Sequence, residues 1–271
     1  MSKYLIKGAS LYGEKVADIL IEDGVISRIA ENIDAADAQV VEAAGQVALP
    51  GLVDIHTHLR QPGYEASETV ETGTRAAALG GYTAVFAMAN SMPVADTAAV
   101  VEQVDRLGKE SGWCRVQPIG AVTVGLKGER LSDIGGMANS TANVRVFSDD
   151  GMCVYDPAVM RRALEYVKTF DGVIAQHAQE PRLTEGAQMN EGKVSADLGL
   201  TGWPAVAEEA IIARDVLLAE HLDSKLHICH LSTKGSIEVV RWAKSRGVKV
   251  TAEATPHHLL LTDETARTYD P

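Results

Sequence analysis

Seven short apolar runs between Gly51 and Ala254 alternate with helical patterns, and this alternation limits the fold more than any other feature. The strand candidates are residues 51–58, 82–88, 115–122, 143–148, 172–177, 225–231 and 247–254. Helical periodicity falls between them, at 66–80, 96–110, 157–170, 204–221 and 233–246. Strand–helix alternation predicts a parallel sheet joined by right-handed crossovers. Seven such strands exceed most open doubly wound sheets. They predict an α/β fold of the (β/α)8 barrel type with about seven strands present and the last unit absent. Barrels of this kind take roughly 250 residues, and the stretch after Pro50 is shorter than that. No GxGxxG follows the first strand and no Walker A motif occurs, so the sequence gives no support for a nucleotide cradle.

The first 50 residues follow a different pattern. Residues 4–7, 17–22 and 25–29 are β-rich, and Asp23-Gly24 between the last two tolerates the positive φ of a tight hairpin. This predicts a small antiparallel unit over 1–50, followed by the main domain over 51–271.

In a parallel barrel the chemistry sits at the C-terminal ends of the strands, so the last residues of each run are the informative ones. The first run ends His56-Thr57-His58-Leu59-Arg60. Side chains alternate along a strand, so Asp54, His56, His58 and Arg60 share one face. Two imidazoles on one face are half of a metal site, and an arginine beside them is a planar fork suited to a carboxylate. The second run ends at Asn90, the fourth at Asp149-Asp150, the fifth at His177, the sixth at His230 and the seventh at His257-His258. Ligand-type residues at the same end of six strands are hard to place by chance.

Asp149 and Asp150 face opposite sides of their run, and spacing alone does not choose between them. His227 points away from His230 and reads as structural. Cys229 reads as a buried small hydrophobe, and His221 as a surface residue at a helix end. His257 and His258 read as lying behind the ligands. Asp54, one level deeper than His56, is placed to orient a ligand imidazole. Four histidines and one aspartate suit one or two borderline ions, Zn²⁺ foremost. Such a site activates water and polarises a carbonyl. The residues thus predict metal-assisted hydrolysis, or its reverse, on a small anionic substrate held by Arg60.

A formal charge of -12 over 271 residues disfavours nucleic acid and anionic membrane surfaces as partners. No apolar run is long enough to span a membrane. Three cysteines indicate no disulfide framework and fit a cytoplasmic setting.

The residues also resemble a family. Gly51-Leu52-Val53-Asp54-Ile55-His56-Thr57-His58-Leu59-Arg60-Gln61-Pro62-Gly63 is similar to the bacterial dihydroorotases of the amidohydrolase superfamily. Glu71-Thr72-Gly73-Thr74, Asn90, Phe147-Ser148-Asp149-Asp150-Gly151, His177, His230 and Thr255-Pro256-His257-His258 continue the match over nearly the whole chain. The resemblance implies a barrel joined to a small β-sandwich built from both chain ends. It implies zinc, one or two ions per chain, and reversible closure of N-carbamoyl-L-aspartate to L-dihydroorotate in pyrimidine synthesis. By motif match, His56 and His58 bind one zinc, Asp150 bridges, and His177 and His230 hold the second. Arg60 and Asn90, with His58 nearby, bind the substrate carboxylate.

Hydantoinases, dihydropyrimidinases and allantoinases bridge their metals with a carboxylated lysine, so Asp150 favours the aspartate-bridged branch. A hydantoinase-like cyclic amidohydrolase is the alternative enzyme. A non-catalytic partner of aspartate carbamoyltransferase is the alternative outside catalysis. A homodimer and association with that transferase are the partner expectations. Gln61 stands where the family more often has Glu. The family's catalytic aspartate, in an eighth-strand Asp-His-Ala-Pro, has no counterpart up to Tyr269-Asp270-Pro271. Residues 1–271 alone are therefore expected to be marginally stable and inactive.

Overall fold

The computed structural model describes residues 2–268, so the expectation attached to Tyr269-Asp270-Pro271 lies outside the described residues. The chain divides into two compact units, Met1–Leu52 and Val53–Pro271.

The first unit is one five-stranded sheet in the order β3-β2-β1-β4, with β5 also against β1. Its strands are β1 (Lys3–Leu11), β2 (Lys15–Glu22), β3 (Val25–Ala30), β4 (Gln39–Glu42) and β5 (Val47–Ala48). Asp23 at φ 50 and Gly24 at φ 82 make the β2–β3 hairpin, as the Asp-Gly pair predicts. The expectation of a purely antiparallel unit needs correcting, because β4 and β5 run parallel to β1. Leu5, Leu20 and Ile33 form its small core. Asp18, buried, accepts hydrogen bonds from the backbone of Gly8 and Ile33.

The second unit is an alternating α/β array. Its parallel-type strands are β6 (Leu52–Thr57), β7 (Tyr82–Ala87), β8 (Arg115–Pro118), β9 (Val146–Phe147), β10 (Val173–Gln176), β13 (Leu226–Ile228) and β14 (Val250–Ala252). They form two sheets, β6-β7-β8 and β14-β13-β10-β9. A parallel bridge between Gly120 and Phe147 joins β8 to β9, so the seven strands succeed one another in chain order. The connecting helices are α1 (Val70–Leu79), α2 (Ala98–Ser111), α3 (Ile134–Asn139), α4 (Pro157–Val167), α5 (Lys193–Leu198), α6 (Val206–Leu222) and α7 (Lys234–Ser245). Between β10 and β13 lies a two-stranded parallel ribbon, β11 (Met189–Asn190) with β12 (Gly202–Trp203). After β14 the chain turns into α8 (Pro256–Leu260).

Local chemistry sets the helix starts. Thr69 caps α1 in a reciprocal box with Thr72, Asp156 caps α4 with Pro157 at the first turn, and Thr233 caps α7. One large core joins Phe147, Ile174, Leu226 and Ile228 from the strands to Met160, Leu164, Ile212 and Val216 from the helices. A close approach at the end of β8 uses a glycine. A Cβ on Gly120 would stand 2.8 Å from Met137 Sδ and 2.9 Å from Phe147 Cδ1.

Most strands are shorter than their apolar runs, at the start as well as the end: β9 begins at Val146 and β14 at Val250, each three residues into its run. The short elements α3, α5, β11 and β12 have no counterpart among the expected elements. Ile134-Gly135-Gly136 in α3 has poor helix propensity, and two-residue strands carry no periodicity.

Candidate metal and substrate site

Four histidines and Asp150 converge at the ends of β6, β9, β10 and β13. Asp150 is 5% exposed, and its two oxygens face imidazole nitrogens on several sides. His56 Nε2 lies 3.4 Å from Oδ1, and His58 Nε2 lies 3.4 Å from Oδ2. His177 Nδ1 is 3.4 Å and His230 Nε2 is 3.2 Å from Oδ1. His177 Nδ1 and His230 Nε2 are themselves 3.0 Å apart. Alternation along β6 places His56, and His58, one residue past the strand end, turns to the same carboxylate. The positive φ of His230, 34°, turns its ring toward Asp150.

These separations match a ligand shell. Four ligands at about 2.0–2.1 Å around a tetrahedral ion stand about 3.3 Å from one another. Ligand atoms of His56, Asp150 and His230 all lie within 4.8 Å of one another, the spacing of metal ligands. The donor set, imidazole nitrogen and carboxylate oxygen, suits a borderline divalent ion.

Electrostatics bind the group together. Burial raises the Asp150 carboxyl, but hydrogen bonds from His177, His230 and His56 outweigh it and hold the carboxyl far below the usual range. Burial likewise opposes charge on His56, yet Asp150, Cys229 and Glu253 push it up to about 12. Burial lowers His58.

Asn90 Oδ1 lies 2.9 Å from His58 Nδ1, so Asn90 stands behind the ring as well as beside the site. Arg60 sits in a left-handed conformation at φ 57 and is exposed. Among the described residues its guanidinium makes no hydrogen bond or ion pair. Gln179 Oε1 lies 2.9 Å from His177 Nε2. A cavity of about 820 Å³ opens beside His177 and His230, with Met189, Trp203 and His258 in its wall.

Asp149, one residue before the central carboxylate, points elsewhere. It is 1% exposed and accepts from the backbone of Val122 and Thr123 and from the Thr123 hydroxyl. Asp54 differs from expectation. Its carboxylate accepts from the His56 backbone N–H at 3.0 Å and not from the ring. The ring is held by Glu253, whose Oε1 is 2.5 Å from His56 Nδ1. Glu253 follows an apolar strand directly after Ala252, so the strand-end rule that finds the histidines would also have found it. His257 and His258 belong to α8, and His258 Nδ1 pairs with the Thr255 hydroxyl at 2.6 Å.

The model of the family described as Dihydro-orotase-like matches residues 45–236. The chain belongs to the dihydro-orotase-like family. Relatives agree: it is 70% identical over its whole length to a dihydroorotase of Streptomyces coelicolor, of which it covers 63%. It is 67% identical to a dihydroorotase of Leifsonia xyli, with 98% of this chain and 61% of the relative aligned. A dihydroorotase of Mycobacterium tuberculosis is 54% identical, with 98% and 62% aligned. The chain thus spans about three-fifths of the length of these curated relatives. In fold it resembles an L-hydantoinase of Arthrobacter aurescens at a TM-score of 0.81 and 22% identity, over all of this chain and 62% of that one. A D-hydantoinase superposes at 0.75 and 19% identity, over 99% and 60%. No helix among the described residues is long and apolar enough to cross a membrane.

Proposed function

We propose that this chain carries the metal site of a zinc-dependent dihydroorotase, which interconverts N-carbamoyl-L-aspartate and L-dihydroorotate in pyrimidine synthesis. The observation that carries the reading is the Asp150 carboxylate held by four imidazoles at 3.2–3.4 Å. His56 and His58 would hold one ion, His177 and His230 a second, and Asp150 would face both. Zinc held there would bring bound water to a pKa near neutral and polarise the ring carbonyl.

The chain's own residues bind and orient. The Arg60 guanidinium, exposed and uncommitted, would take the substrate carboxylate as a two-point fork. Asn90 would present its amide beside that carboxylate while keeping the His58 ring in place. The cavity beside His177 and His230 has room for a six-membered ring and its carboxylate.

The domain reading over 1–50 and 51–271 belongs to the proposal too, with the five-stranded sheet as one layer of a sandwich. So does completion of the seven strands to an eight-stranded barrel. Half-exposed Val53 and Ile55 on β6 are the apolar surface such a strand would cover. A cytoplasmic setting, supported by free Cys114, Cys153 and Cys229, completes the reading, with a homodimer and aspartate carbamoyltransferase as partners.

The hydantoinase alternative rests on neighbours that share the fold at 19–22% identity, and the family resemblance implies a bridging lysine in hydantoinases where this chain has Asp150. A purely structural partner would need none of the five converging side chains. The test pairs metal analysis with dihydroorotate hydrolysis by the protein that carries this chain. Zinc bound and turnover lost on chelation is the expected result. Turnover of hydantoin with none of dihydroorotate would replace the reading.

A further inference from the structure

We propose that Glu253 is a positioning residue that aims two of the site's imidazoles at once, His56 through its ring and His230 through its backbone. The inference rests on the metal-site reading of those two histidines.

An imidazole can present only one nitrogen to an ion, and the hydrogen bond made by the other decides which. His56 Nε2 faces Asp150, and His56 Nδ1 faces Glu253 Oε1 at 2.5 Å. A carboxylate only accepts, so Glu253 fixes a proton on Nδ1, and Nε2, which faces Asp150, is the nitrogen left to give up its proton to an ion.

The same Oε1 accepts the backbone N–H of His230 at 3.2 Å. His230 has φ 34, a conformation that costs a non-glycine residue energy unless its surroundings hold it. Glu253 supplies that hold at the residue whose turn aims the ring. Its other oxygen, Oε2, takes His227 Nε2 at 3.2 Å, and His227 Nδ1 rests on the Thr251 hydroxyl at 2.8 Å. His227 is thereby the far support of the carboxylate. The Glu253 main chain is fixed as well: its N–H donates to Ile228 O at 3.1 Å, and its carbonyl accepts from Leu231 N at 2.8 Å.

His56, Cys229 and Glu253 also offer ligand atoms within 4.8 Å of one another, which could describe a separate metal site. The 2.5 Å separation of His56 Nδ1 from Glu253 Oε1 decides against it. Ligands of one tetrahedral ion stand about 3.3 Å apart, so this pair is a hydrogen bond. Cys229 is buried among apolar neighbours Met88, Ile119 and Ala175, where a thiol stays protonated.

The experiment uses Glu253→Gln, which keeps the side chain's shape, and Glu253→Ala, with the full chain in each case. Zinc affinity is measured by competition with a chelator. The proton on His56 Nδ1 is read by nitrogen-15 NMR of the zinc-free protein, and folding by circular dichroism. Wild type is expected to keep Nδ1 fully protonated, and Glu253→Ala to lose part of that proton. Zinc affinity is expected to fall about tenfold in Glu253→Gln and about 100-fold in Glu253→Ala. A folded Glu253→Ala with wild-type zinc affinity and an unchanged proton on His56 Nδ1 overturns the proposal. Failure of wild type to take up zinc, with the Nδ1 proton still lost in Glu253→Ala, would instead overturn the metal reading and leave Glu253 as the residue that orients His56.

Discussion

Asp149 and Asp150 are neighbours in the chain, yet their carboxylates serve separate networks: Asp149 holds the backbone of Val122 and Thr123, and Asp150 faces four imidazoles. This division predicts different failures. Asp150→Asn should remove most bound zinc, because a neutral amide is a poor ligand between imidazoles. Asp149→Asn should keep its zinc, since no atom of Asp149 faces the site. Metal content by mass spectrometry checks both, and equal zinc loss in the two variants would show that the division is wrong.

Asp215 gives a pH dependence of defined sign. It is fully buried beside Gln176 and Arg214. Burial outweighs both partners and pushes its carboxyl up to about 6 from the ordinary 3.8. Between those values the folded state binds the extra proton, so this group's contribution to stability falls as pH rises from about 4 to about 6. Asp215→Asn mimics the protonated form and cannot titrate. Urea unfolding should show wild type losing stability relative to the variant, by on the order of 3 kcal/mol between pH 4 and 7. The opposite slope would mean that the Arg214 charge outweighs burial.

The strand-end histidines were legible because two rules sufficed: alternation along a strand, and placement of chemistry at one end of a parallel sheet. The same rules could not separate Asp149 from Asp150. Strand β9 is only two residues long, and the loop after it, not the pleat, decides which carboxylate turns inward. Asp54 looked like the support of His56 because it shares that face. The actual support is Glu253, 197 residues away; the strand-end rule marks it as a polar strand-end residue, and only the folded arrangement shows that it holds His56. Parallel pairing of β4 and β5 with β1 was hidden for the same reason, since local hairpin signals report neighbours in sequence only.

Gly120 sits at the seam where the β6-β7-β8 sheet joins the rest, bonded through its N–H to Val146 O at 3.1 Å and through its carbonyl to Ser148 N at 2.8 Å. Gly120→Ala would push a methyl against Met137 and Phe147, two fully buried side chains. A loss of about 1–3 kcal/mol is expected from overpacking. Chemical denaturation measures it, and a variant as stable as wild type would show that Met137 can yield without cost.

Arg60 tests the substrate side of the proposed function separately from the metal side. Its guanidinium is exposed and close enough to His58 to disfavour a charge on that ring. A fork that binds a carboxylate at two points cannot be replaced by the single ammonium of lysine. Arg60→Lys keeps the charge but not the geometry, so it separates the two contributions. In the protein that carries this chain, KM for dihydroorotate should rise roughly tenfold or more, the loss of one charge-assisted hydrogen bond. Zinc content should stay at the wild-type level, because no ligand nitrogen depends on Arg60. Left-handed backbone at φ 57 is equally strained for either residue, so the substitution adds no new backbone cost. Steady-state kinetics and metal analysis on the same preparation decide the matter. Unchanged KM and kcat would remove Arg60 from substrate binding, and loss of zinc would move it into the support of the metal site.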